Sequence, residues 1–233
     1  MLGMTTYILV HGAWCSGWVW DDVAHSLTSM DHRVEVVAQL PSAGIDATTL
    51  GDLNADVEHV KAILDATRED VVLVGHSYGG MVLTELADHP SIRHSVYISA
   101  FWPKVGQTVI DVRGGGALPE WVHVREDGAL QLTDDVAVLR DIFCADLDEP
   151  TSMLLHSNLV LQSLSAFVIP AAAPSRAHPT TYVIAEQDKC FPPVGQEQAA
   201  QHADRVLRVS AGHMAQVSAP REISRILAAA AGR

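Results

Sequence analysis

The sequence predicts an α/β chain: a mostly parallel central sheet of about six strands, helices on both faces, and an inserted cap. Three observations carry that expectation. Short β-branched runs, apolar on both faces, alternate with helical patterns, as in a parallel sheet covered on both sides. The rhythm breaks only between Phe101 and about Pro174, where prolines and Gly114-Gly115-Gly116 separate short helical pieces. One strand, Val71-Val72-Leu73-Val74, runs into Gly75-His76-Ser77-Tyr78-Gly79 and then directly into a helical pattern.

In chain order, Tyr7–Val10 reads as the first strand, Gly17–Ser29 as a helix and Arg33–Ala38 as the second strand. Thr48–Thr67 reads as one long helix, with Leu50, Leu53, Val57, Val60, Ile63 and Leu64 at helical spacing. Val71–Val74 is the third strand, Gly79–Asp88 a helix and Ser95–Ala100 the fourth strand. After the break come strand Thr180–Ala185, helix Gln196–Ala203, strand Arg205–Val209 and a closing helix, Arg221–Ala231. The interruption holds helical pieces at Asp134–Phe143 and Thr151–Leu161. Residues 1–100 and 175–233 therefore form the expected core. Residues 101–174 form the expected cap, over the carboxyl edge where open α/β sheets bind ligands.

Composition narrows the function. The 233 residues suffice for one domain with a large core. They are 48% hydrophobic, yet no run approaches the roughly 18 apolar residues of a membrane span. The start, Met1-Leu2-Gly3-Met4-Thr5-Thr6, lacks the basic and long apolar segments of a leader. Three scattered cysteines, Cys15, Cys144 and Cys190, suit a reducing cytosol better than a disulfide framework. A formal charge of −13 argues against nucleic acid and anionic membranes as partners. No metal and no cofactor are expected, and nothing in the sequence forbids a homodimer.

The chemistry starts at Ser77. A strand that ends in Gly-x-Ser-x-Gly and turns into a helix forces its serine into a strained corner, with small residues on either side. A serine hydroxyl needs a base within hydrogen-bond reach, and that base needs an orienting carboxylate. Ala185-Glu186-Gln187-Asp188 follows the fifth strand and Gly212-His213 the sixth, so both reach the same sheet edge as Ser77. His213 is the expected base, with His123 and His156 of the cap as rivals. Asp188 is the expected orienter, with Glu186 as its rival. His76 is expected to point away from the pocket, and His11 to make a structural hydrogen bond. The oxyanion of an acyl-transfer transition state needs two N–H donors, expected at Tyr78 and Ala13. Gly12 permits close approach there. Trp14, Trp102, Trp121, Leu155, Leu159, Leu161, Phe167 and Met214 are the expected walls of a mostly apolar pocket, and Cys15 a small packing residue.

With Val10-His11-Gly12-Ala13-Trp14, Val74-Gly75-His76-Ser77-Tyr78-Gly79-Gly80, Asp188 and Gly212-His213-Met214 in place, the chain resembles the α/β-hydrolase superfamily along its whole length. Gly17-Trp18-Val19-Trp20 and Ser42-Ala43-Gly44 resemble, more narrowly, the group of plant methylesterases, hydroxynitrile lyases and their bacterial esterase relatives. In the lyases a threonine follows the first histidine, and a cyanide-stabilising lysine follows the catalytic one. Here Gly12 and Met214 stand instead, so the resemblance implies the esterase branch: an α/β-hydrolase fold whose expected partner is a small-molecule ester. A hydroxynitrile-lyase-like C–C lyase, a cofactor-free natural-product-pathway enzyme and a small-ligand receptor are the alternatives on the same fold.

Overall fold

A computed structural model describes residues 4–231, with side chains to residue 230. Met1–Gly3, part of the leader expectation, and residues 232–233 lie outside the described residues. In chain order the elements are β1 (Thr6–Val10), α1 (Asp21–Thr28), β2 (Arg33–Val36), β3 (Ala43–Gly44), α2 (Leu53–Ala66), β4 (Val71–His76), α3 (Gly79–Glu85), β5 (Ile92–Ile98), α4 (Val109–Val112), β6 (Val122–Val124), β7 (Ala129–Leu132), α5 (Val136–Phe143), α6 (Glu149–Ser157), β8 (Leu161–Ser163), α7 (Ser165–Val168), β9 (Thr180–Ala185), α8 (Pro193–Ala200), β10 (Arg205–Val209), α9 (Ala215–Ser218) and α10 (Pro220–Ala231).

The main sheet has six strands in the order β10-β9-β5-β4-β1-β2. All its pairings are parallel. The inner strands β1, β4 and β9 are buried at every residue, which explains their uninterrupted apolar runs. They need cover on both faces; α1 packs on α10 and α2 on α3. The edge strands β2 and β10 alternate exposed and half-buried positions instead, up to the buried Val209 that ends β10. The order reverses around β1 and β4: the chain leaves β1 for β2 on one side and resumes with β4 on the other. The loops after β1 and β4 therefore flank the switch-point crevice, where such sheets bind ligands.

The cap contains a second sheet, antiparallel, in the order β3-β8-β7-β6, which the sequence did not announce. Its first strand comes from residues 43–44, well before the interruption, so the cap is stitched to the chain between β2 and α2.

Three helix expectations are corrected. Thr48–Thr67 is not one helix. A 3-10 turn at Ala47–Thr49 is capped by Asp46, and α2 starts afresh where Asp52 accepts from Ala55 N–H at 3.0 Å. Between them the Gly51 N–H donates to the Pro41 carbonyl at 2.8 Å, which breaks the helical ladder. Gly17–Ser29 divides similarly into a 3-10 turn, Gly17–Trp20, and α1. The Thr151–Leu161 helix ends at Ser157, because Leu161 opens β8.

Candidate active site

Ser77 sits between β4 and α3 with φ of +50°, a left-handed conformation rare for a residue with a side chain. The flanking glycines make that corner possible. A Cβ on Gly75 would lie 2.7 Å from Leu83 Cδ1, and one on Gly79 2.9 Å from the Val10 carbonyl oxygen. The elbow expected from the sequence is present.

His213 and Asp188 follow β10 and β9 and meet in the interior. The His213 Nδ1–H donates to Asp188 Oδ2 at 2.8 Å, and both side chains are almost fully buried. Asp188 Oδ1 accepts from the backbone N–H groups of Cys190 (2.8 Å) and Phe191 (2.9 Å). Its Oδ2 also accepts from Gln196 Nε2 at 3.1 Å. Four donors thus converge on one carboxylate. Burial lowers the proton affinity of the His213 ring, but the Asp188 carboxylate and the Cys190 thiol beside it reverse the sign. The net result is an imidazole pKa well above the usual 6.5.

His76 does not simply point away. Its ring lies 4.7 Å from that of His213, and its Nε2–H donates to the His213 carbonyl at 2.9 Å. Burial, and then the neighbouring His213, hold its pKa well below 6.5, so it is a neutral strut beneath the base. His11 is structural, as expected: Nδ1–H donates to the Gly12 carbonyl (2.8 Å) and Nε2 accepts from Leu40 N–H (3.0 Å). Burial pushes its pKa down to about 4. Among the described residues, no hydrogen bond joins Ser77 Oγ to His213 Nε2. The rivals His123 and His156 lie on β6 and α6 of the cap, and neither pairs with a carboxylate among the described residues.

The two expected amide donors are unspent. Among the described residues, the N–H groups of Ala13 and Tyr78 donate to no protein acceptor. Gly12 is the point of closest approach beside them. A Cβ there would lie 2.9 Å from His76 Nδ1 and 3.0 Å from Ser77 Cβ.

An aromatic wall stands in front. Trp14 meets Trp121, Phe143 and Phe167 edge-on at centroid distances of 6.1, 6.5 and 5.5 Å. Phe143 reaches the His213 ring at 5.5 Å, and Phe167 stacks on Tyr78 at 5.8 Å. Phe143 was missed because its helix reads only as cap packing. Trp102 lies in another aromatic layer: its indole stacks on Tyr97 at 4.0 Å, with Arg176 over the ring, and the layer reaches Tyr182. Leu159 and Leu161 line a separate cap groove of about 330 Å³ with His156. Leu155 and Met214 are buried. Cys15 is buried too, and burial pushes its thiol up to about 12, as suits a packing residue.

Gln196 and Asp146 were also unforeseen. Gln196 is fully buried, and its amide is locked by Ala185 N–H and the Phe191 carbonyl (2.9 and 2.7 Å). Asp146, from the loop between α5 and α6, accepts from the Gly212 N–H at 2.7 Å and so ties the cap to the His213 loop.

Comparison with known proteins agrees with the fold. A model of the alpha/beta hydrolase family matches residues 7–226. A carbendazim hydrolyzing esterase of Nocardioides sp. (strain SG-4G) is 39% identical over 124 residues, half of this chain and half of that protein. Methylesterase 18 of Arabidopsis thaliana is 28% identical over 254 residues, 97% of this chain and 96% of that one. The crystal structure of a pyrethroid hydrolase from Sphingobium faniae JZ-2 superimposes with a TM-score of 0.84 at 24% identity, covering 98% of each chain. Among the described residues, no helix is long and apolar enough to cross a membrane.

Proposed function

The chain belongs to the alpha/beta hydrolase family, and on that footing we propose that it is a serine hydrolase of small carboxylic esters, acting through an acyl-enzyme. The observation that carries the reading is the buried His213–Asp188 pair at 2.8 Å, on the same sheet edge as a left-handed Ser77. In this reading Ser77 Oγ attacks the ester carbonyl and His213 Nε2 takes its proton. Asp188 holds the ring with Nδ1–H inward, which leaves Nε2 free to accept. The unspent N–H groups of Ala13 and Tyr78 receive the oxyanion. His213 then gives its proton to the departing alcohol. Water attacks the acyl-enzyme with its proton going to His213, and as the intermediate collapses His213 returns that proton to Ser77 Oγ and the carboxylic acid leaves. Hydrogen bonds of this kind are often unformed before substrate enters and tighten in the complex, which accommodates the open contact between Ser77 and His213.

The aromatic wall of Trp14, Trp121, Phe143 and Phe167 suits a small apolar or aromatic acyl group. The esterase names of the relatives support the same class. A thioether at Met214 beside the base supplies no cation for cyanide, which favours hydrolysis over the lyase alternative. The test is turnover of p-nitrophenyl acetate by purified Ser77→Ala and His213→Ala proteins, with fluorophosphonate labelling. Both variants should lose turnover, and the label should fall on Ser77. Undiminished turnover by either folded variant removes the assignment.

A further inference from the structure

Behind the two amides lies a chain of buried polar groups that the reaction as described does not use. It starts at Trp14, next to Ala13. Trp14 has φ of +60° and is held by three hydrogen bonds to the small sheet and the segment leading into it. Its N–H donates to Gln162 Oε1 (3.4 Å), its carbonyl accepts from Val160 N–H (2.9 Å), and its Nε1–H donates to the Leu130 carbonyl (3.2 Å). Gln162 Nε2 donates to Ser42 Oγ at 2.8 Å. The Ser42 N–H donates to Asp56 Oδ1 at 2.8 Å, and the Tyr78 hydroxyl donates to Asp56 Oδ2 at 2.7 Å. Ser42, Asp56, Gln162 and Tyr78 are all fully buried.

We infer that Gln162, Ser42 and Asp56 form a positioning relay for the oxyanion hole, fixing the Trp14 end of one donor loop and the Tyr78 side chain of the other. The inference rests on the serine hydrolase reading and deepens it. Three facts point this way. Burying a carboxylate and a primary amide is costly, and apolar residues would fill a core more cheaply. The relay's two ends are the residue next to one unspent amide and the residue that bears the other. Its middle joins three separate segments: the β2–α2 connection at Ser42, helix α2 at Asp56 and cap strand β8 at Gln162. None of these side chains touches the reacting atoms. They act through Trp14 and Tyr78, so they are positioning residues.

The experiment compares Gln162→Leu and Tyr78→Phe, singly and together, with Ser77→Ala as control. It reads kcat and KM for p-nitrophenyl acetate and inhibition by phenylboronic acid, whose serine adduct presents a tetrahedral oxygen to the two amides. A misplacement of about 1 Å costs up to about 100-fold, so each variant should lose about 10- to 100-fold in kcat with KM changed less than about threefold. Phenylboronic acid should weaken in step with kcat/KM. The double variant should lose less than the product of the single losses, because both act on one relay. Tyr78→Phe removes a single oxygen and carries the test if Gln162→Leu does not fold. A folded Tyr78→Phe with wild-type kcat and inhibition overturns the relay. A loss confined to melting temperature, with turnover per folded molecule unchanged, overturns it equally. If Ser77→Ala itself keeps turnover, the hydrolase reading fails instead, and the two failures are told apart.

Discussion

Replacing Asp188 by asparagine tests the orientation of the base more sharply than removing it. The carboxylate sits in an acceptor-only site. Two of its four donors, the Cys190 and Phe191 N–H groups, are backbone and cannot reverse. A third, Gln196 Nε2, cannot flip either, because its amide already accepts from Ala185 N–H and donates to the Phe191 carbonyl. The only adjustable donor is His213. The introduced asparagine would therefore keep its oxygen toward the two backbone N–H groups and turn its NH2 toward His213 and Gln196. Facing an N–H donor, His213 would move its proton to Nε2, the atom that must accept from Ser77. The expected loss in kcat is about 10⁴-fold, or about 5 kcal/mol of barrier, with little change in KM. The frustrated contact with Gln196 adds about 1–3 kcal/mol of instability. That corresponds to a fall of about 2–12 °C in melting temperature for a chain of this size. The assay is steady-state turnover of p-nitrophenyl acetate beside a thermal melt. Asp188→Asn with more than a tenth of wild-type kcat would refute the tautomer argument and the role given to Asp188.

Three further outcomes follow from the same geometry. In the proposed mechanism neutral His213 is the base, and its pKa is held well above 6.5, with Asp188, Cys190 and His76 the titratable groups that act on it. kcat/KM should therefore rise with pH through a limb above 6.5; a limb at or below 6 contradicts the assignment. Burial raises the Asp56 carboxyl from 3.8 to about 6, helped by Asp52 and opposed by the hydrogen bonds from Ser42 and Tyr78. A folded pKa above the unfolded one gives stability present below about pH 4 and lost as pH passes 6, about 3 kcal/mol over two units. An asparagine at position 56 does not titrate, so the melting temperature of Asp56→Asn minus that of wild type should grow by about 6–12 °C from pH 4 to pH 7. A difference that is flat with pH removes the buried ionisation. Gly80→Ala would put a methyl 2.1 Å from the Phe101 carbonyl oxygen. It should cost about 3 kcal/mol or more, read as a melting temperature lowered by at least about 6 °C, and an unshifted melt would disprove the contact.

The core of this fold was legible because its strands are buried on both faces. Thr180–Ala185, buried at every residue, was read to the residue, and the elbow at Ser77 followed from glycines that the packing requires; the edge strand Arg205–Val209 was read to the residue as well, without that burial. The helices were legible in kind but not in extent. Leu50 continues the helical spacing of α2, yet the Gly51 N–H is spent on Pro41, a residue ten positions back, and spacing alone does not reveal that competition. The cap sheet was invisible for a related reason. Its strands are two to four residues long, too short for a period of two to declare itself, and one of them pairs Ala43 with Gln162 across the sequence. Trp102 and Trp121 had equal claims on the pocket from composition. Only packing sends one to the Tyr97 stack and the other to Phe143, at 5.4 Å.

The distribution of satisfied and unsatisfied groups has its own logic. Behind the base the buried groups are mostly paired: Asp188 accepts four hydrogen bonds, Asp56 accepts from Ser42 and Tyr78, and His11 uses both ring nitrogens, while His76 Nδ1 has no partner among the described residues. In front, two backbone N–H groups are left without protein acceptors, and the adjoining Ser77 and Trp14 hold left-handed φ angles. Unmade amide bonds cost about 1–3 kcal/mol each, and a left-handed residue with a side chain costs about as much again. Neither the strained φ angles nor the unspent amides contribute to stability. Trp14 donates to Gln162 and Leu130 and accepts from the Val160 N–H, and all three partners belong to the cap or its approach. The cap is therefore more than a cover that shapes the pocket. In the proposed mechanism it anchors the oxyanion loop at Trp14, so substitutions on β7 and β8 should alter turnover through the amides before they alter which ester fits.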